Sequence, residues 1–382
     1  MARFPLVVAG LDVDALRESF DVVVAGAGFA GAATACALAA AGVRDVLVLE
    51  AEDQPGSHAS GLNAALLRRL VPDPATGAAL RRSARAMYDP AWNDAVGFER
   101  NGSMLLVGGD GGDLAGAVAE ASSDGLACRS VSRDEAIARV PVLASATFDH
   151  ALFTQDDAVV DIHALLWRYL AAARAGGAVI ATACPITSVE TDGTRVVAVS
   201  TPRGRVACRV LVDAAGAWAN GLAALAGLPP LSMAPYRRHL VTTPPADFVD
   251  RSWPFVWDVA AGYYFRPEVG GLLMSPCDQS EAAPGPAMRD PAALVLLAEK
   301  LARHAPALAG LAVKHWWAGL RTITADGRFA IGWDPRLEGF FWVAGLGGHG
   351  MTGSAFAGEA AARLILGRDE PLAATVDPAR LV

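Results

Sequence analysis

The chain has 382 residues, 53% of them hydrophobic and 19% charged, with a net charge of −8. This composition excludes an intrinsically disordered chain, and the length suits about two domains with sizeable cores. The acidic balance argues against nucleic-acid binding through a basic surface, and Cys36, Cys128, Cys184, Cys208 and Cys277 form no CxxC pair, so no disulfide frame or metal site is expected.

No apolar run approaches the roughly 18 residues that a membrane-spanning helix needs; Ala32–Ala41 is among the most apolar stretches. Met1–Gly10 holds one arginine and the short run Phe4–Ala9, and Asp12 and Asp14 follow at once, which argues against a secretory signal. The expectation is a cytoplasmic protein with reduced thiols. The first twenty residues read as an extension of no assigned role.

Asp21–Ala25 is β-branched and reads as a buried parallel strand. Ala27–Ala41 is almost all small residues and predicts a helix packed closely on a sheet, ended by Gly42. Asp45–Glu50 is a second buried strand, so a βαβ unit begins near residue 21. Gln54–Pro72 reads as a loop, Asp73–Asp94 as a helix, and Ser103–Val107 as a strand followed by the turn Gly108–Gly112. Helices are predicted at Leu114–Ser122, Arg133–Arg139 and Asp161–Ala175, the last started by Asp161. Strands follow at Val179–Ala183, Thr187–Thr191, Val196–Ser200, Arg205–Cys208 and Val210–Ala214, with hairpin turns at Asp192-Gly193 and Pro202–Gly204. A helix at Ala217–Ala226 ends on Gly227. Arg238–Met274 is β-rich and aromatic, Ser275–Pro291 is a loop, and Pro291–His304 is helical. Phe340–Ala344 is a last buried strand leading through glycines into a helix at Met351–Gly367.

Two strand-to-helix junctions carry chemistry. Gly26-x-Gly28-x-x-Gly31 stands where the first strand becomes the first helix. Gly26 permits the tight turn, Gly28 lets backbone approach a pyrophosphate, and Gly31 lets the helix lie on the strand. The helix start then offers bare N–H groups to phosphate. Glu50 ends the next strand, where an acid binds ribose hydroxyls and favours FAD or NAD over NADP. The second junction, Gly345–Gly350 with His349 inside it, aims another helix start inward. Two such ends far apart in the chain suit a long ligand held at both termini, which fits FAD better than NAD. A third small-residue turn, Ala214-Ala215-Gly216 within VDAAGAW, lets backbone approach a ligand.

With GAGFAG and Glu50, QPGSHASG (Gln54–Gly61), VDAAGAW (Val212–Trp218), GLRTITADGRFAIG (Gly319–Gly332) and GGHG in that order, the chain resembles the FAD-dependent D-amino-acid oxidase superfamily from Asp21 to about Leu366. The likeness is of the glycine oxidase and sarcosine oxidase type, with the bacterial D-arginine dehydrogenases nearest in look. It implies a cofactor site built from Gly26, Gly28, Phe29, Ala30, Gly31, Glu50, Ala51, Ser57, His58, Ala59, Ser60, Ala215, Gly216, Trp218, Gly347, Gly348, His349, Gly350, Met351 and Thr352. It also implies a carboxylate clamp of Arg321 and Tyr264, with Arg238 as a second substrate-side arginine and His349 beside the flavin. A buried arginine is the natural holder of a carboxylate, independent of any resemblance. Hydride transfer to flavin N5 from a held carbon then needs positioning more than acid–base groups.

Departures are informative. Ser103 stands where the D-arginine enzymes carry an acid, and Leu66 and Val71 replace a His and a Tyr, with Arg68 and Arg69 between them. The implied pocket is more apolar or cationic, and suits neutral or acidic substrates. No residue of Arg321–Ala325 is cysteine, so FAD is expected to be non-covalent. The only lysines, Lys300 and Lys314, stand outside the flavin motifs, which leans toward a dehydrogenase.

The expectation is an FAD enzyme that oxidises a D-amino acid or secondary amine to an imine, with an unassigned electron acceptor and no nucleic-acid partner. A 2-hydroxy-acid dehydrogenase is the alternative and would need a base such as His349 or His239. A non-catalytic or RNA-modifying protein of the same fold is the remote third reading. The fold class is a Rossmann-like α/β FAD domain interleaved with an α+β substrate domain on an antiparallel sheet. The FAD domain is drawn from 1–95, 150–230 and 312–382, and the substrate domain from 96–149 and 231–311.

Overall fold

The computed structural model describes residues 16–93, 96–108 and 114–382. Residues 1–15 of the expected extension and 109–112 of the expected glycine turn lie outside the described residues.

Strand β1 (Ser19–Ala25), helix α1 (Phe29–Ala40) and strand β2 (Val46–Leu49) form the expected βαβ unit. Val23, Val24 and all of β2 are buried, because both faces of this parallel sheet are covered. Helix α1 packs on small residues: a Cβ on Gly358 of the helix Ser354–Ile365 would lie 2.4 Å from the Ala33 carbonyl oxygen. Side chains of ordinary size at this crossing would force the helices apart.

The first sheet has eight strands. Strand β1 lies between β2 and the strand Gly204–Asp213, parallel to both, and Val179–Ala181 extends the sheet beyond β2. Gly204–Asp213 is one continuous strand where the sequence reading breaks it in two. Arg209 sits at that break with 78% of its side chain exposed, and an outward-facing residue on a strand is no interruption. The outer edge of this long strand is shared, pairing antiparallel with Val196–Thr201 and then parallel with Phe340–Ala344.

The second sheet has nine strands. Met233–Thr242 pairs along its whole length with His315–Thr324, and Gly271–Ser275, Tyr263–Glu268, Phe255–Asp258, Ser103–Val107, His150–Thr154 and Cys128–Ser132 continue the order. The sequence boundaries place 150–154 and 315–324 with the cofactor segments, but both hydrogen-bond in this second sheet. Chain order did not reveal these non-local pairings.

One face of the second sheet is core. Met104, Val241, Val256, Tyr263, Phe265 and Met274 pack there with Leu297 and Leu301 of the helix Ala292–His304. Register places the alternate residues on the other face: Tyr264 opposes both Trp257 and Ser275, and Arg321 opposes Tyr236 with Arg238 two residues on. That second face looks onto the first sheet.

Candidate active site

The carboxyl ends of the parallel strands, at Ala25, Leu49, Ala214 and Ala344, open into a cavity of about 750 Å³ whose opposite wall is the second sheet. Ligands of doubly wound sheets bind at this end, where helix starts and loops converge.

Nearly every sequence-predicted residue comes together there. Gly26, Gly28, Phe29, Ala30, Glu50, Ala51, Ser57, His58, Ala59, Ser60, Ala215, Gly216, Trp218, Gly347, Gly348, His349, Gly350, Met351 and Thr352 line the cavity, as do Arg238, Tyr264 and Arg321. Gly31 does not; it is buried in the β1–α1 contact, where a Cβ would lie 1.9 Å from the Gly26 carbonyl oxygen. Gly26 has φ +99° and Gly28 leaves no side chain before α1, so the first turn's N–H groups face the cavity with only Ser60 Oγ accepting, from Phe29 at 2.9 Å. Glu50 is 9% exposed and accepts from the Ala27 N–H at 2.8 Å and the Glu52 N–H at 3.0 Å, which fixes its carboxylate at the strand end. His58 packs at a tilt against Trp218, ring centroids 4.5 Å apart, and bonds Glu52 at 2.8 Å. These glycine-cleared approaches, bare helix N–H groups and fixed acid fit the phosphates and ribose of a dinucleotide.

The opposite wall is cationic. The Arg321 side chain passes Gly348, whose Cβ would lie 2.7 Å from Arg321 Cδ, so this glycine makes room for the guanidinium. Arg321 Nε has no hydrogen-bond partner, and Nη2 donates to Gln279 at 3.3 Å. Burial, and after it the charge of Arg238, lower the Arg321 pKa to about 10. Arg238 donates from Nε to the Asp278 carbonyl at 2.7 Å. Burial also raises the Tyr264 hydroxyl, which stays protonated. His349 is pushed down to about 3 by burial, then by Arg68 and Arg321, so its ring is neutral at ordinary pH.

His239 is not available as a base. It lies on the opposite face from Arg238 and is 1% exposed. Its Nδ1 meets Asp278 at 2.7 Å and its Nε2 accepts from the Asp290 N–H at 2.9 Å. Lys300 is engaged by the Gly262 and Pro276 carbonyls and Lys314 is exposed, so neither lines the cavity. Leu66 lines the cavity, whereas Val71 is buried in the core. Ser103 is buried and donates to Asp157 at 2.6 Å.

Trp257, Gln279 and Asn63 also line the site and were not read from the sequence. The Trp257 position carried a signal, because strand alternation puts it on the face of Tyr264.

Asp213, at the end of its strand, is fully buried. One oxygen accepts from the Ala215 N–H at 3.1 Å and the other has no partner. Burial raises its pKa from 3.8 to about 8. A folded value above the unfolded one means that this group's stabilisation is fully present below pH 3.8 and is lost as pH rises to about 8. Asp213→Asn keeps the acceptor for Ala215 without the charge. Its stability is therefore expected to gain on wild type from pH 5 to 8, at up to about 1.4 kcal/mol per pH unit, and its thermal midpoint to rise relative to wild type over the same range. Parallel midpoint curves would refute the assignment.

Comparison with known proteins agrees with this geometry. The family described as "DAO: FAD dependent oxidoreductase" matches residues 21–364. Mouse mitochondrial dimethylglycine dehydrogenase is 27% identical over 281 residues, covering 69% of this chain and 31% of its own length. Glycine oxidase of Bacillus subtilis is 27% identical over 244 residues, covering 62% of each chain. L-Proline dehydrogenase from P. horikoshii superposes with a TM-score of 0.85 at 24% identity, covering 96% of this chain and 98% of its own. The chain thus spans about a third of the length of the dimethylglycine dehydrogenase it matches. No helix among the described residues is long and apolar enough to cross a membrane.

Proposed function

Because the chain belongs to the DAO family of FAD-dependent oxidoreductases, we propose that it oxidises a small amino acid, a D-amino acid or a secondary amine, at its carbon–nitrogen bond. The observation that carries this reading is the Arg321 guanidinium, held in a glycine-cleared slot beside the cavity with Nε unpartnered. A fixed, desolvated guanidinium is a carboxylate receptor. Tyr264, protonated on the same face, donates to the same carboxylate.

The residues present fit FAD. Gly26, Gly28, Phe29, Ala30 and Ser57–Ser60 would receive the pyrophosphate, Glu50 the adenosine ribose, and Ala215, Gly216, Trp218 and Gly347–Thr352 the remainder. Without a cysteine in Arg321–Ala325 the cofactor is held non-covalently. Bound there, FAD would supply the two-electron acceptor for oxidation of the substrate's carbon–nitrogen bond to the imine. The protein's part is to fix the carboxylate, present the carbon and exclude water. The first sheet and its loops hold the cofactor, and the second sheet holds the substrate.

A neutral amine that gives up a hydride becomes an iminium, whose charge its own nitrogen carries without a protein base, whereas an alcohol needs a base to take its proton. His349, with a pKa of about 3, is a poor base, and both ring nitrogens of His239 are occupied. This favours amines over 2-hydroxy acids.

The test is anaerobic mixing of the yellow holoenzyme with D-amino, N-methyl and 2-hydroxy acids, followed by flavin absorbance. Amino acids should bleach it, with a rate that rises with pH as the substrate ammonium deprotonates. His349→Asn should leave the midpoint of that limb in place, because His349 does not titrate there. Bleaching by 2-hydroxy acids alone would overturn the reading. Slow reoxidation on admitting air would support the dehydrogenase form.

A further inference from the structure

Arg68 is the cavity's largest feature that the amine chemistry leaves unused. It follows the short strand Leu66–Leu67, and its backbone N–H bonds Thr352 Oγ1 at 3.4 Å, next to the His349 loop. Its guanidinium lies 4.1 Å over the Trp257 ring. This cation–π contact holds the guanidinium against the ring. The neighbouring carboxylates are engaged elsewhere: Asp157 is held by Arg69 at 2.8 Å and by Ser103 at 2.6 Å, and Asp278 by His239 at 2.7 Å. Among the described residues no carboxylate forms an ion pair with Arg68, Arg238 or Arg321.

The charges around this end of the cavity do not balance. Arg68, Arg69, Arg238 and Arg321 stand against Asp157 and Asp278, an excess of two positive charges. The arginines lie close enough that Arg238 lowers the pKa of both Arg68 and Arg321, and burial takes Arg68 down to about 10. Clustered, desolvated guanidinium groups are costly unless anions complete them. One carboxylate at Arg321 satisfies half the excess.

Resting on the amino-acid reading above, we infer that Arg68, held on Trp257, receives a second carboxylate, so that the substrate is a dicarboxylic amino acid. The second carboxylate belongs either to the side chain or to a substituent on nitrogen. Arg321 fixes the carboxylate next to the reacting carbon, and Arg68 sets specificity at the other end. The same cationic wall excludes basic side chains.

The test uses the holoenzyme and the shift in flavin absorbance when unreactive acids bind. Succinate and butyrate have the same chain length and differ by one carboxylate. Succinate is expected to bind about ten- to a hundredfold more tightly, the range for a charge-assisted pair. Arg68→Gln should remove that advantage, and Arg68→Lys should retain part of it. Equal binding of the two acids by wild type, or an advantage surviving in Arg68→Gln, overturns the inference. If Arg68→Gln fails to keep flavin, the wild-type comparison decides alone. Anaerobic bleaching by aspartate against N-(carboxymethyl)glycine then locates the second carboxylate. Bleaching by neutral amino acids with no succinate preference would sink Arg68's role and leave the amine chemistry standing. Failure of every carboxylate to bind would sink the Arg321 reading itself.

Discussion

Arg321→Ala is expected to lower kcat/KM by about two to three orders of magnitude while the enzyme remains yellow. The side chain is half-buried, its Nε is buried without a partner, and among the described residues no carboxylate pairs with it. Removing one side of a desolvated charge pair costs about 2–5 kcal/mol, which sets the size of the effect. The loss should fall mainly on substrate binding, and the flavin-to-protein ratio should hold because Arg321 reaches the cavity from the second sheet. Arg321→Lys should recover only part, since an ammonium cannot reproduce the fork. Steady-state kinetics and a flavin count on the same preparation decide the matter. A colourless protein with unchanged carboxylate affinity would assign Arg321 to the cofactor instead.

Gly31→Ala should strip the protein of its cofactor. The added Cβ would sit 1.9 Å from the Gly26 carbonyl oxygen and 3.1 Å from Val24 Cγ1, and neither the turn nor β1 can retreat from a sheet packed on both sides. Overpacking of this kind costs about 1–3 kcal/mol or more, and here it displaces the N–H groups at the start of α1. The thermal midpoint should fall by several degrees, with flavin absent or weakly held. Gly116→Ala is the control: it lies exposed in the helix Ala115–Ser123 with nothing within 4 Å, and should be neutral or stabilising by up to about 1 kcal/mol. A yellow, fully stable Gly31→Ala protein would remove Gly31 from its structural role.

The cofactor half was legible because its signals are local. The run Asp21–Ala25, the glycines after it and Glu50 each act within a few residues, and the structure reproduces them as β1, α1 and the strand end. The second sheet was legible as β-rich but not in its order, since the pairing of 233–242 with 315–324 joins distant segments. The same distance hid the Arg68–Trp257 contact and the clearance that Gly348 gives Arg321. His239 shows what a finer reading could have found. Once Arg238 faces the cavity, strand alternation turns its neighbour into the core. The split of one strand into 205–208 and 210–214 failed for the opposite reason, because the polar Arg209 between them marks an outward face.

The arrangement of the first sheet also sets a schedule for synthesis. Strand β1 needs Gly204–Asp213 as its parallel neighbour, and that strand needs Phe340–Ala344 on its outer edge. While the ribosome works through the intervening residues, β1 has β2 beside it but waits for its second neighbour. Such high contact order folds slowly and leaves sticky edges open, which chaperones or speed of elongation must cover. No cut between the two sheets yields a contiguous half that holds its own partners, so fragments of this chain should not complement one another as independent pieces.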